Sequence, residues 1–111
     1  MTSDNKPATV IVTSPKASAT RHRNDTDRSR YELVEDGEVR GIAEYQRTDD
    51  EIRFTHTEVS PEHRTAGRGA RLVQAALDDV REGTDLRVVP LCPFVADFVD
   101  EHPDYQELLR R

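Results

Sequence analysis

The chain has a single cysteine, two lysines and no tryptophan, and aromatic residues make up 5% of its 111 positions. A lone Cys92 can form no internal disulfide and no cysteine-rich metal site. That scarcity points to a reducing, cytoplasmic setting. Four histidines, His22, His56, His63 and His102, are scattered without ligand spacing, so no metal site is expected. No apolar run approaches the ~18 residues of a membrane span, and the first residues carry no apolar signal core. Basic side chains are nearly all arginine, which reads as lineage bias. Hydrophobic and charged residues each make up 34% of the chain. That composition allows one domain with one modest core and a highly charged surface.

Charge is divided unevenly. Residues 1–30 carry six basic and three acidic side chains, net +3, whereas residues 31–111 carry 10 basic against 19 acidic, net −9. An acidic body argues against nucleic acid, because neutralising phosphates needs clustered arginine and lysine. It suits a cationic substrate, and it also serves solubility alone.

Residues 1–28 are rich in Ser, Thr, Asn and Asp, and most of the stretch reads as a mobile tail. The tail is set at residues 1–19 and the domain at 20–111. Within the tail only Thr9-Val10-Ile11-Val12-Thr13 has strand propensity, and Asn24-Asp25-Thr26-Asp27 signals a turn. Residues 30–34 alternate as a half-buried strand. Asp36-Gly37 is a hairpin turn, because both residues accept positive φ. Strands follow at residues 39–47 and 51–59, separated by a turn at Thr48-Asp49-Asp50. Strict alternation puts Ile52, Phe54, His56 and Glu58 on one face of the last, so a buried face turns polar at its C-terminal end.

Leu72, Val73, Ala76, Leu77 and Val80 form one stripe of a helix over residues 70–82, closed by Gly83. Residues 86–91 are apolar on both faces, as in an interior parallel strand. The strand–helix–strand from about 51 to 91 is therefore a βαβ unit with a right-handed crossover. Pro93 opens a second helix with an apolar stripe of Phe94, Val95, Phe98 and Val99, and Pro103 opens a short last one.

Three constellations could carry chemistry. The loop Arg64, Thr65, Ala66, Gly67, Arg68, Gly69 and Ala70 spells R-x-x-G-x-G between a strand and a helix, where a phosphate can be held. No Gly-Lys-Ser/Thr follows, so it is not a P-loop, and a plain tight turn fits the spacing as well. Cys92 ends the parallel strand and precedes Pro93, near a helix N-terminus that favours thiolate, although a buried cysteine is often only packing. His56 and Glu58 are candidate general bases, histidine titrating near neutral pH; hydrogen bonding within the sheet is the alternative.

The R-x-x-G-x-G loop resembles the acetyl-CoA pyrophosphate motif of the GNAT N-acetyltransferase superfamily, Q/R-x-x-G-x-G/A. Further shared stretches resemble a small single-domain, minimal subfamily of it. They are Arg30-Tyr31-Glu32-Leu33, Ala43-Glu44-Tyr45, His56-Thr57-Glu58-Val59, Val88-Val89-Pro90-Leu91-Cys92-Pro93-Phe94-Val95 and His102-Pro103-Asp104-Tyr105.

The resemblance implies an α+β, minimal GNAT-like fold. An antiparallel meander leads into a βαβ unit with a splayed parallel strand pair, then a C-terminal helix. It implies acetyl-CoA as co-substrate, its pyrophosphate on residues 64–70 and its pantetheine arm in the splay beside Val59. A primary amine would attack the thioester, with His56 or Glu58 as base. The resemblance places Cys92 beside the acetyl group as nucleophile, proton relay or packing. The chain is too short for the two helices that usually follow the first strand and for the last strand pair, which leaves an open acceptor site. The superfamily's usual acid tyrosine is missing, and Tyr105 lies too far along to take its role. The partners expected are a CoA thioester and an amine, without nucleic acid or membrane, in a monomer or weak homodimer. A non-catalytic acyl-CoA-binding module is the alternative.

Overall fold

A computed structural model describes residues 20–61 and 67–111. They form β1 (Thr20–Asp25), β2 (Arg30–Glu35), β3 (Glu38–Arg47), β4 (Glu51–Val59), α1 (Arg68–Gly83), β5 (Arg87–Pro90) and α2 (Pro93–Glu101), followed by a 3₁₀ helix at Pro103–Arg110. The five strands make one mixed sheet in the order β1-β2-β3-β4-β5, antiparallel except for the parallel pair β4–β5. This is the α+β architecture that the resemblance implied. The strand-forming segment Thr9-Val10-Ile11-Val12-Thr13 lies outside the described residues.

β1 departs from the expectation drawn from sequence, which has no strand at residues 20–25. Thr20-Arg21-His22-Arg23-Asn24-Asp25 contains no apolar residue, so no hydrophobic alternation marks it. Polar contacts with its neighbours hold it instead. The Tyr45 hydroxyl donates to Asn24 Oδ1 at 2.7 Å, Arg23 Nε to Glu32 Oε1 at 2.6 Å, and Thr20 Oγ1 to Glu35 Oε2 at 3.3 Å. The β2–β3 turn forms as its Asp-Gly pair requires, with Asp36 and Gly37 at φ 54° and 81°.

One face of the sheet carries Tyr31, Leu33, Ala43, Tyr45, Ile52, Phe54 and Val88, and it buries them against Leu72, Val73, Ala76, Leu77 and Val80 of α1. Val95, Phe98 and Val99 of α2, with Tyr105 and Leu108 of the 3₁₀ helix, complete the same core. Among the described residues no helix covers the opposite, open face. There Glu32 is 1% exposed, bridged by Arg23 at 2.6 Å and Arg30 at 2.8 Å, and Glu51 binds both Arg53 and Arg87.

Two ends of elements differ from expectation. Gly83 is helical and takes no positive φ. Thr84 closes α1 instead, its hydroxyl donating to Val80 O at 2.8 Å. The Arg111 guanidinium donates to the carbonyls of Val80, Arg81, Thr84 and Leu86 at 2.8–3.3 Å, placing a cation at the negative end of the helix. β5 is an edge strand of four residues, not an interior one. Pro90 fits there, since an edge needs no donor on its outer side.

Candidate active site

The geometry of the site follows from one inserted residue. Along β3–β4 the pairs run Gly41↔Val59, Ile42↔Glu58, Ala43↔Thr57 and Glu44↔His56, then Tyr45↔Phe54. Thr55 has no opposite number, so β4 bulges there. A bulge shifts the alternation by one and bends its strand. Strict alternation from Ile52 and Phe54 puts His56 and Glu58 on the core face. The bulge overturns that: Thr57 and Val59 lie on the helix-covered face, while His56 and Glu58 lie on the open one. Both are exposed, side chains 54% and 64%, with His56 Nε2 3.4 Å from Glu58 Oε1.

The same bulge marks where the parallel pair ends. β4 pairs with β5 from Glu51↔Arg87 to Phe54↔Pro90, and the Cys92 N–H caps the pairing on Phe54 O at 2.8 Å. Beyond Phe54, β4 runs five residues further with β3 alone. The result is a cleft of 630 Å³ lined by His56, Thr57, Glu58, Val59, Gly67, Gly69, Ala70 and Phe94. Ser60 N–H bonds to Arg40 O on β3 at 2.8 Å. By alternation the backbone of Glu58 and His56 also faces β3, and that of Thr57 and Val59 faces the cleft.

Helix α1 points its N-terminus into this cleft. Its first ladder bond is Arg71 N–H to Gly67 O at 3.0 Å, so the N–H groups of Arg68, Gly69 and Ala70 have no carbonyl partner within the helix. No acidic residue sits in the first turn to neutralise the field. Gly67 caps the helix at φ 72°, a conformation natural to glycine. Gly69 allows a close approach: a Cβ there would meet Phe94 Cζ at 3.0 Å, and the ring would have to give by a few tenths of an ångström. Phe94, expected in the core, is instead 45% exposed and walls the cleft. The signal was its position one residue before the i, i+3, i+4 stripe of Val95, Phe98 and Val99.

Of the loop residues singled out in the sequence, Gly67, Gly69 and Ala70 line the cleft, and Arg64, Thr65 and Ala66 lie outside the described residues. Arg68 turns away. Its Nε donates to Glu35 Oε2 at 2.6 Å and ties the start of α1 to β2.

Cys92 is 6% exposed and does not itself line the cleft. It is the N-cap residue of α2, without a regular side-chain capping bond. Its Sγ lies 3.5 Å from Thr57 Oγ1. Burial pushes the thiol up, but the Thr57 hydroxyl and the N–H groups of Val95, Phe94 and Thr57 outweigh it and hold Cys92 below the usual thiol range. Thr57, which no sequence motif singles out, therefore connects Cys92 to the cleft. Cys92 and His56 project from opposite faces of the sheet and form no pair. His102 is structural: its ring stacks on Phe98, and Nδ1 bonds Phe98 O at 2.7 Å. Tyr105 is buried, with its hydroxyl on Asp78.

A family model described as GCN5-related N-acetyl-transferase matches residues 30–108. A search of the curated proteins finds no match.

Proposed function

The chain belongs to the GCN5-related N-acetyltransferase family, and from that footing we propose that it transfers the acetyl group of acetyl-CoA to a primary amine. One observation carries the reading. The N-terminus of α1 and the stretch of β4 beyond its last β5 partner meet in a single cleft. A helix N-terminus suits a pyrophosphate and a strand edge suits the amides of a pantetheine arm, so the two halves of CoA have complementary surfaces side by side.

In this reading residues 64–70 hold the pyrophosphate, Arg68 through its backbone. The pantetheine lies along β4, and the backbone on the Glu58–Val59 segment that faces the cleft polarises the thioester carbonyl as an oxyanion hole does. The amine approaches from the open face, where His56 or Glu58 takes its proton. Cys92 acts from the other face. The division is useful chemically, because the base and the thiol cannot neutralise each other.

Incubation with acetyl-CoA and a pool of amines, with free thiol as the readout, tests the proposal. Release of CoA above background supports it. Bound acetyl-CoA without release identifies a non-catalytic acyl-CoA-binding module instead. Gly67→Glu adds charge and bulk where the pyrophosphate would sit and is expected to abolish CoA binding; a folded variant with unchanged affinity would place the site elsewhere.

A further inference from the structure

Thr57 is the only described side chain that both lines the cleft and hydrogen-bonds Cys92. It pairs across the sheet with Ala43, which is 0% exposed, so its hydroxyl is fixed on the helix-covered side. Cys92 Sγ lies behind it, out of the cleft lining. Among the described residues that hydroxyl is the side-chain hydrogen-bonding link between Cys92 and the cleft. A hydroxyl is suited to this, since it donates one proton while accepting another.

We propose that Thr57 is a proton relay, passing the Cys92 proton to the sulfur of the departing CoA. This rests on the acetyltransferase reading above. As the amine nitrogen bonds the acetyl carbon and the carbon–sulfur bond breaks, the sulfur leaves with the electron pair as thiolate. The Thr57 O–H gives its proton to that sulfur, and Thr57 Oγ1 takes the proton of Cys92. The ammonium proton leaves separately on the open face, to His56 or Glu58 and then to water, and Cys92 is reprotonated from solvent. The overall reaction consumes amine and acetyl-CoA and yields amide and free CoA, with protons balanced.

Two features favour this route. The thiolate left on Cys92 sits at the N-terminus of α2, facing the Phe94 and Val95 N–H groups. Cys92 is thus a stronger acid than an unperturbed thiol, so giving a proton to a CoA thiolate runs downhill. His56 and Glu58 also line the cleft, but they pair with each other at 3.4 Å on the open face, whereas the Cys92 thiol bonds Thr57.

The test compares the whole chain as wild type, Thr57→Val, Thr57→Ser and Cys92→Ala, each checked by its melting curve. With one cysteine in the chain, thiolate ultraviolet absorbance against pH, taken as the difference from the matching variant that also carries Cys92→Ala so that the tyrosines cancel, reports Cys92 and does not depend on turnover. Thr57→Val is expected to move that titration to higher pH and to lower kcat about 100-fold, a typical size for a missing acid catalyst. The KM for acetyl-CoA should stay within about twofold of wild type, since only an interaction made in the transition state is removed. Thr57→Ser should restore both readouts, and adding Thr57→Val to Cys92→Ala should cause no further loss. Thr57→Ala serves in the same way if the valine variant fails to fold. Wild-type turnover with an unaffected Thr57→Val kcat, or an unmoved titration, overturns the relay alone. Absence of turnover in the wild type overturns the acetyltransferase reading and the relay with it.

Discussion

Deleting Thr55 isolates what the bulge contributes. All seven β3–β4 pairs survive the deletion, and every side chain keeps its face, because removing the extra residue leaves a regular alternation through Phe54, His56, Thr57, Glu58 and Val59. The deletion removes one exposed hydrogen bond, from Thr55 Oγ1 to Glu44 O at 3.4 Å, worth less than about 1 kcal/mol. The melting temperature should therefore move by no more than roughly 8 °C. The bend is what goes. A straightened β4 continues alongside the line of β5 instead of leaving it at Phe54, and the cleft narrows. A pantetheine arm excluded from that edge forgoes about two backbone hydrogen bonds of roughly 1 kcal/mol each, which is tenfold or more in affinity. Thermal melts and calorimetric titration with CoA measure the two quantities on one sample. A folded deletion variant that binds CoA as wild type does would refute the bulge as the cause of the splay. A collapse in stability would refute the claim that the remaining register is regular.

Two further outcomes concern stability. Burial alone would raise the Glu32 carboxyl, but bonds from Arg23 and Arg30 outweigh it and hold it below the usual carboxylate range. A depressed native value means stability that is present above the unfolded carboxylate's range and lost as pH falls through the native one. Urea midpoints from about pH 7 to about pH 3 should fall more steeply for wild type than for Glu32→Gln; parallel curves would contradict the assignment. Arg111→Ala removes four hydrogen bonds to carbonyls at and just beyond the end of α1 and should cost about 1–2 kcal/mol, a fall of several degrees in melting temperature. Arg111→Lys should recover only part, because an ammonium lacks the planar fork.

What the sequence revealed follows from where hydrophobic pattern and turn chemistry coincide. Tyr31, Leu33, Ala43, Tyr45, Ile52 and Phe54 alternate cleanly, and Asp36-Gly37 and Thr48-Asp49-Asp50 punctuate them, so three strands and their pairing were legible. The stripe from Leu72 to Val80 made α1 equally plain. β1 was not legible, because six polar residues form it through partners on β2 and β3 that local pattern cannot supply. The bulge at Thr55 was hidden for the opposite reason. A threonine in a strand is ordinary, and only the register against β3 shows that it has no opposite number. That one insertion decides which face His56, Thr57 and Glu58 occupy, so the stretch bearing the candidate site could be located while its handedness could not. Arg68 illustrates a further limit: nothing local to the glycine loop shows that its side chain pairs with Glu35, 33 residues upstream and 2.6 Å away.

The strand order β1-β2-β3-β4-β5 follows the order of the chain. Every antiparallel pair therefore closes through a short turn, at little entropic cost, and the meander can assemble quickly from neighbours. Only β4–β5 must bring together residues as far apart as Phe54 and Pro90, and it does so through four residue pairs. The segment that carries Cys92 and the cleft-lining Phe94 thus follows the shortest seam of the sheet. Such a seam is where a native chain opens first without unfolding as a whole. Amide exchange should be faster at β5 and the start of α2 than in the meander, and entry of a long ligand can use that opening while β2 and β3 stay closed.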